Sequence, residues 1–523
     1  MSLFSAPGRT SAPTTATFAA PGATITRGGP APTGEQTAIV DAYFTGQHLV
    51  VEAGAGSGKT STLRMVAQSR PTRRGVYVAY NKGIADEAAG KFPGTVDCRT
   101  AHSFAYRQVG QAYAHRLPSR GRGGEGGRRL PAAEVAKVLG LHGERLGERY
   151  VTAAALARMA GETVERFCNS ADYEITSDHV PVTPGLEEQA GDLATAVVPA
   201  AVKLWSDIVN PRGSLYFTHD HYLKIWHLTG PRLHGDYVML DEAQDANPVI
   251  AAIVAAQQDA QLIYVGDRAQ SIYAWRGAVD AMADLNGLRL QLTKSFRFGP
   301  AVAAEANQWL DMLDADLRLT GHDPMASTLG YVEQPRAILC RTNGGAFAQV
   351  MDQLDAGRRV ALVGDGKDVK RFAFAAISLM KGQGCDHPEL MAFRTWRELL
   401  AYVGEESAGR DLKVMVDLCH RYGPSTLIDT VDRLSPQQRC DVVVSTAHKA
   451  KGLEWPSVRI GGDFAPPADG SKPERAELML AYVAVTRAQE QLDRGSLNWP
   501  TTGRLAADGT WWSYDNPTRT QED

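Results

Sequence analysis

Cysteine is scarce and never closely paired in this chain. Six residues, at 98, 168, 340, 385, 419 and 440, form no CxxC pair and no metal-ligand spacing, which argues against a disulfide framework or a zinc site. Long apolar runs are missing too: no stretch approaches the ~18 residues of a membrane helix, and the amino terminus has no charged segment leading into an apolar one, so neither a span nor a signal peptide is expected. Nor does one sign of charge dominate. Fifty-five basic residues face 59 acidic ones, a net charge of −4, so a polyanionic partner would have to be held by local basic patches. The expectation is a soluble, intracellular protein with no membrane partner. What is present is ordinary for a folded chain: 44% hydrophobic and 22% charged residues over 523 positions, enough for about three or four domains.

The organisation follows from composition and periodicity. Residues 1–34, mostly Ala, Thr, Pro, Gly and Ser, read as a flexible tail. RLPSRGRGGEGGRRLP, Arg116 to Pro131, reads as a mobile basic loop, either a phosphate-touching arm or a solvated linker. Short β-branched runs at His48–Glu52, Val76–Tyr80, Tyr237–Leu240 and Leu262–Val265 suit buried parallel strands. Ala337–Cys340, Arg359–Val363, Val442–Thr446 and Val458–Gly461 repeat the style. Two α/β cores are therefore expected, the first over 35–106 and 231–290, the second over 291–384 and 439–495, with 496–523 as a carboxyl-terminal tail. Apolar residues at spacings of three and four, such as Leu193, Val197, Ala201, Leu204 and Ile208, or Leu156, Met159, Thr163 and Phe167, predict a helical insertion over 107–230. A smaller helical insertion is expected over 385–438.

The chemistry concentrates in two strings. AGAGSGKTS follows a strand and opens a helix, the context of a P-loop: Ala53, Gly54, Ala55, Gly56, Ser57, Gly58 and Ser61 would wrap phosphates with backbone amides, Lys59 would reach the outer phosphates, and Thr60 would hold Mg2+. YVMLDEAQD ends a strand in paired carboxylates. Asp241 would complete the magnesium shell, and Glu242 would orient and deprotonate the attacking water. Together the two strings indicate nucleoside triphosphate hydrolysis.

Around them, from Pro32 to about Asp493, the chain resembles a superfamily 1 helicase of the UvrD-like type, whose fold is two RecA-like parallel-sheet P-loop cores, each carrying a helical insertion. GEQ at 34–36 resembles the adenine-reading segment, with Gln36 on the base edge. VGDRAQSIYAWRGA (265–278) resembles the motif whose glutamine, here Gln270, senses the terminal phosphate and whose aromatics stack on bases. LTKSFRFG (292–299) matches a motif that packs an aromatic, Phe296, on adenine and sets an arginine, Arg297, on the γ-phosphate. VVVSTAHKAKGLEWP (442–456) and LAYVAVTRAQEQL (480–492) are similar to the last two motifs, which implies a ribose contact for Glu454 and a second γ-phosphate arginine in Arg487. AYNKGIADEAAGKFPGTVDCRTAHSFAYR (79–107) is most similar to the F-box DNA helicase branch, although no F-box is evident.

The resemblance implies DNA as substrate, at single strands and single-strand/duplex junctions, with movement 3′ to 5′ and work in repair or recombination. Tyr80, Asn81, His102, Tyr273, Trp275, Arg276, His448 and Lys451 are the candidates for the groove, since aromatics among basic and amide groups suit a stacked single strand. The same motifs are compatible with a DNA-stimulated ATPase that strips proteins from single strands without opening duplexes, and stacking does not exclude RNA. A protein partner or a second copy is left open. Arginine outnumbers lysine 41 to 14, in keeping with a bacterial or phage source and a cytoplasmic location; a eukaryotic source would make it nuclear.

Overall fold

The computed structural model describes residues 31–513 except 119–129, 147–148, 182–188, 274–279, 365, several positions between 384 and 394, 405–409, 502 and 506–508. The expected tail over 1–34 lies almost wholly outside these residues, as do most of the basic loop, Trp275 and Arg276.

The chain opens with α1 (Gly34–Phe44), β1 (Leu49–Ala53), α2 (Lys59–Ser69), β2 (Gly75–Ala79), α3 (Lys82–Lys91), β3 (Val96–Thr100) and α4 (Ala101–Gln108). It leaves this layer for α5 (Ala132–Val138), a hairpin of β4 (Glu144–Leu146) and β5 (Arg149–Val151), then α6 (Ala153–Cys168), α7 (Ala190–Val209) and α8 (His219–Leu228). It returns through β6 (Tyr237–Asp241), α9 (Pro248–Ala255), β7 (Gln261–Gly266), α10 (Ala281–Asp284) and β8 (Leu288–Leu292). The resulting sheet is parallel throughout, in the order β3-β2-β6-β7-β1-β8.

Strand periodicity sorts its two faces. Val50, Val76, Val78, Val238, Leu240, Leu262 and Tyr264 pack against the insertion, whereas Leu49, Val51, Tyr77, Met239, Ile263 and Val265 pack against α1, α2 and α3. The insertion is thus the cover of one face of the sheet, and each fully buried Val or Leu there contributes ~1.5–3 kcal/mol. It is not purely helical, because β4 and β5 form an antiparallel pair. Arg116, placed by the sequence in a mobile loop, is buried: its guanidinium donates to the carbonyls of Asp207, Ile208 and Asn210 at the end of α7, where a cation offsets the helix dipole.

The second core comprises α11 (Pro300–Met312), β9 (Thr328–Leu329), β10 (Ala337–Cys340), α12 (Asn343–Asp355), β11 (Val360–Leu362), α13 (Lys367–Met380), α14 (Trp396–Gly404), α15 (Arg410–Tyr422), α16 (Pro424–Asp432), β12 (Val442–Thr446), β13 (Trp455–Ile460), α17 (Arg475–Val485) and β14 (Ala488–Asp493). Its sheet is again parallel, in the order β11-β12-β10-β13-β14-β9. The chain therefore folds as two RecA-like α/β cores.

Two boundaries differ from the sequence reading. The strand β8 runs to Leu292 beside β1 in the first sheet, past the expected division at 290/291. Residues 496–513, expected as a tail, include β15 (Gly503–Leu505) and β16 (Trp511–Ser513), and Leu497, Trp499 and Trp511 are buried in the second core. Trp499 meets Trp309 and Trp511 edge-on, with ring centroids 5.4 and 5.7 Å away, so three large apolar rings hold this segment down. No helix among the described residues is long and apolar enough to cross a membrane.

A candidate nucleotide site and nucleic-acid groove between the cores

Parallel strands deliver their carboxyl ends to one edge of a sheet, and here β1, β6 and β7 end side by side. The loop after β1 turns through Gly56 and Gly58, whose φ angles of 72° and 80° are the left-handed values that favour glycine. A Cβ on Gly56 would lie 2.5 Å from the Cβ of Arg297, and the Phe296 amide donates to the Gly56 carbonyl at 2.8 Å. The P-loop is thus stitched to the segment that leaves β8. Lys59 and Thr60 begin α2, Ser57 is buried with no partner for its hydroxyl among the described residues, and Ser61 is exposed.

Lys59 Nζ lies 3.4 Å from Glu242 Oε1. Glu242 has a φ of 52°, a strained value for a residue with a side chain and one held by its surroundings at the strand-to-turn junction. Burial disfavours its charge, but Lys59 and then Lys451 outweigh that, and the carboxyl is held below its ordinary range. Asp241 goes the other way, pushed up by burial and then by Glu242. It accepts a hydrogen bond from the buried Tyr77 hydroxyl. Among the described residues no cluster of three His, Cys, Asp or Glu side chains gathers to hold a metal unaided. Asp241 suits a magnesium ion shared with nucleotide phosphates, since a buried carboxyl whose charge is disfavoured gains from a cation, and Thr60, in the first turn of α2, is the second candidate ligand.

The second core reaches into this site. Arg487 is 1% exposed; its guanidinium donates to Gln270 Oε1 at 3.1 Å, to the Val483 and Leu453 carbonyls and to the Thr486 hydroxyl. Among the described residues none of its hydrogen-bond partners is a carboxylate. Burial, and after it the charge of Arg297, brings Arg487 down to about 9. Arg297 pairs with Glu454, its Nε 2.5 Å from Oε2. It belongs to the junction between the cores rather than to the second core proper.

Gln36 closes a capping box with Thr33 and donates to Thr62 at 3.2 Å. Gln36 and the Phe296 ring flank the position a Cβ of Gly58 would take, at 3.4 and 3.6 Å, with His322 5.7 Å from that ring. An amide and an aromatic ring, the two groups that could read and cover a purine base, thus meet beside the P-loop at Gly58.

The groove candidates divide. Tyr80, 47% exposed, stacks nearly parallel to Tyr273 with centroids 6.4 Å apart, and the Tyr273 hydroxyl donates to the His448 carbonyl at 3.1 Å. Asn81 caps α3 by accepting from the Ile84 amide. His102, at the start of α4, meets Asp220 at 3.0 Å. Tyr80 and His102 follow β2 and β3, which end in register, so they share one sheet edge. Lys451 departs from expectation: it is nearly buried, paired with Asp245 and donating to the Gln270 carbonyl at 2.5 Å, and is not presented to a strand in the groove.

Sequence reasoning missed Asp267, Tyr482, Gln244 and Asp245. Tyr482 donates to Asp267 at 3.0 Å and accepts from the Ala55 amide at 3.3 Å, and Gln270 donates to the same Asp267 oxygen at 2.6 Å. Asp267 stands directly after β7 and Tyr482 lies inside LAYVAVTRAQEQL, so both carried a positional signal.

Known proteins bear on the same regions. A family described as an AAA domain matches residues 36–276, and one described as the UvrD-like helicase C-terminal domain matches 394–493. The chain is 30% identical over 521 residues to F-box DNA helicase protein 1 of Schizosaccharomyces pombe, covering 88% of this chain and 57% of that protein. It is 29% identical over 491 residues to F-box DNA helicase 1 of Gallus gallus, covering 86% and 47%. The chain spans about half the length of these curated relatives. With two parallel cores, a P-loop facing paired carboxylates and both matches in sequence order, the chain is similar throughout to the UvrD-like helicases.

Proposed function

We propose that this chain is an ATP-dependent translocase and helicase on single-stranded DNA, moving 3′ to 5′. The observation that carries the reading is Arg487: a guanidinium buried at the P-loop, on the opposite core, bonded only to neutral acceptors among the described residues. Such a group lacks the anion that a γ-phosphate supplies. The relatives' printed names, DNA helicases, support DNA as the polymer.

Bound ATP with Mg2+ supplies the phosphoanhydride and its charge neutralisation. The chain's residues do the rest. The P-loop amides and Lys59 hold the phosphates, Thr60 and Asp241 hold the cation, Gln36 and Phe296 seat the base, and Glu242 orients a water and takes its proton. Arg487 and Arg297 stabilise charge on the transferring group, so hydrolysis requires the cleft to be shut. Opening and shutting shift Tyr80 and Tyr273 of the first core against His448 of the second, which alternates the grip on a strand.

The test is ATP turnover with and without single-stranded DNA, beside strand displacement on duplexes carrying a 3′ or a 5′ tail. Stimulated turnover and displacement from the 3′ tail only are expected. Stimulation without displacement would leave a DNA-dependent ATPase that clears proteins from single strands.

A further inference from the structure

The residue that departed from expectation in the groove, Lys451, sits in a chain of contacts. Lys451 follows β12 in the second core, yet its ammonium is paired with Asp245 of the first, and it lies 5.3 Å from the centre of the Tyr273 ring. Asp245 is 5% exposed, and among the described residues its second oxygen has no partner. Gln244 donates to both carboxylates around it, to Asp245 at 3.0 Å and to Glu242 at 2.6 Å. The Gln244 carbonyl oxygen in turn accepts from the Ser271 hydroxyl at 3.0 Å, two residues before Tyr273.

We propose that Lys451 is a positioning residue for Glu242: it crosses the cleft to seat on Asp245 and, through Gln244, fixes the hydrolytic base only when the cores are closed. The inference rests on the function proposed above and deepens it by naming the contact that links the groove to hydrolysis. The energetic reason is that a buried carboxylate stripped of its counter-charge is costly, so an open cleft leaves Asp245 to draw the Gln244 amide nitrogen away from Glu242, while the Gln244 side-chain oxygen stays anchored on the Asp267 amide at 3.0 Å. Burial already drives the Asp245 carboxyl up to about 6 despite the lysine. On the groove side, a base stacked on Tyr273 changes the face against which the Lys451 ammonium rests, so strand binding and base positioning share one cation.

The experiment uses Lys451→Met, Asp245→Asn and the double variant, both replacements being close in size to the originals. Single-strand affinity is measured by fluorescence anisotropy with and without a non-hydrolysable ATP analogue, over a range of salt, alongside kcat and KM for ATP. In the wild type the analogue should change DNA affinity by about fivefold or more, a typical coupling between sites. Each single variant should bring that ratio close to one and lower kcat more than it raises KM, and the double should be no worse than either single. Nucleotide-free DNA affinity and its salt dependence should hold.

Three results would overturn the proposal. One is a salt slope flatter by about one in Lys451→Met, the mark of a lost phosphate contact. Another is additive losses in the double variant. The third is a wild-type ratio already at one. Failure of the broader function would appear separately, as wild-type ATP turnover indifferent to DNA, and would take this proposal with it.

Discussion

In the proposed mechanism Glu242 and Arg487 divide the labour of hydrolysis, and their substitutions should fail differently. Glu242→Gln keeps the shape and the Gln244 contact but removes the base, so ATP should still bind while turnover falls by about 10² or more. Filter binding of nucleotide beside steady-state turnover checks both halves, and unchanged turnover would dismiss the assignment. Arg487→Ala should cut kcat strongly while nucleotide-free DNA affinity holds, because its contacts are with Gln270 and its own helix end rather than with the groove aromatics. If instead affinity for DNA falls and hydrolysis survives, Arg487 belongs to the groove. The two strings that carry the candidate site were legible in the sequence because phosphate chemistry calls for fixed residue types at short spacing. Lys451 was misjudged for a physical reason. A lysine beside aromatics looks like a strand contact until the other core shows a buried carboxylate to meet it, and that pairing spans 206 positions of chain.

At the scale of elements, continuous apolar strands were readable to within a residue or two, since a parallel strand buried on both faces leaves no alternation to confuse it; the exception is β13, which starts at Trp455, three residues before the expected Val458. The edge strand β3, VDCRT, was not, because only its first residue is fully buried and its polar positions look like loop. The carboxyl-terminal segment was missed because isolated tryptophans between glycines carry no period, yet Trp499 and Trp511 complete a core. Trp499→Ala should cost ~3–5 kcal/mol of second-core stability and lower the thermal midpoint, with ATP turnover retained well below it. Loss of turnover at low temperature with an unchanged midpoint would contradict a packing role. Gly56→Ala tests the stitch between the P-loop and the Arg297 segment. A methyl there meets Arg297 Cβ and the Ser295 hydroxyl 2.6 Å away, at a φ only glycine adopts easily. Turnover and melting temperature should fall together, whereas Gly90→Ala, in helix α3 where a Cβ meets nothing within 4 Å, should leave turnover unchanged and the melting temperature equal or higher.

The whole molecule sets what the motor can hold on to. A hydrophobic cluster runs across the cleft, with Ala55, Ala269 and Ile272 of the first core among the buried residues of the second, so closure is a packed arrangement rather than a loose encounter. Single-strand grip therefore has a rigid frame. Grip on the duplex ahead is another matter. Among the described residues between α13 and β12 stand three α-helices of nine, thirteen and nine residues, and their apolar faces are spent packing on α13 and on Phe347 of α12. Specific protein–DNA interfaces bury ~1,000–2,500 Å² of protein surface and single small modules ~600–1,000 Å², so a block of this size sits at the low end. We therefore expect a proven monomer of this chain to track along single strands and open short duplexes, but to let go before finishing long ones unless a second copy or another protein joins. Single-turnover unwinding on tailed duplexes of graded length, with a trap for released protein, measures this: amplitude should decay steeply with length and recover when protein is in excess without the trap. Constant amplitude out to the longest duplex would mean that a grip on duplex DNA exists elsewhere in the molecule.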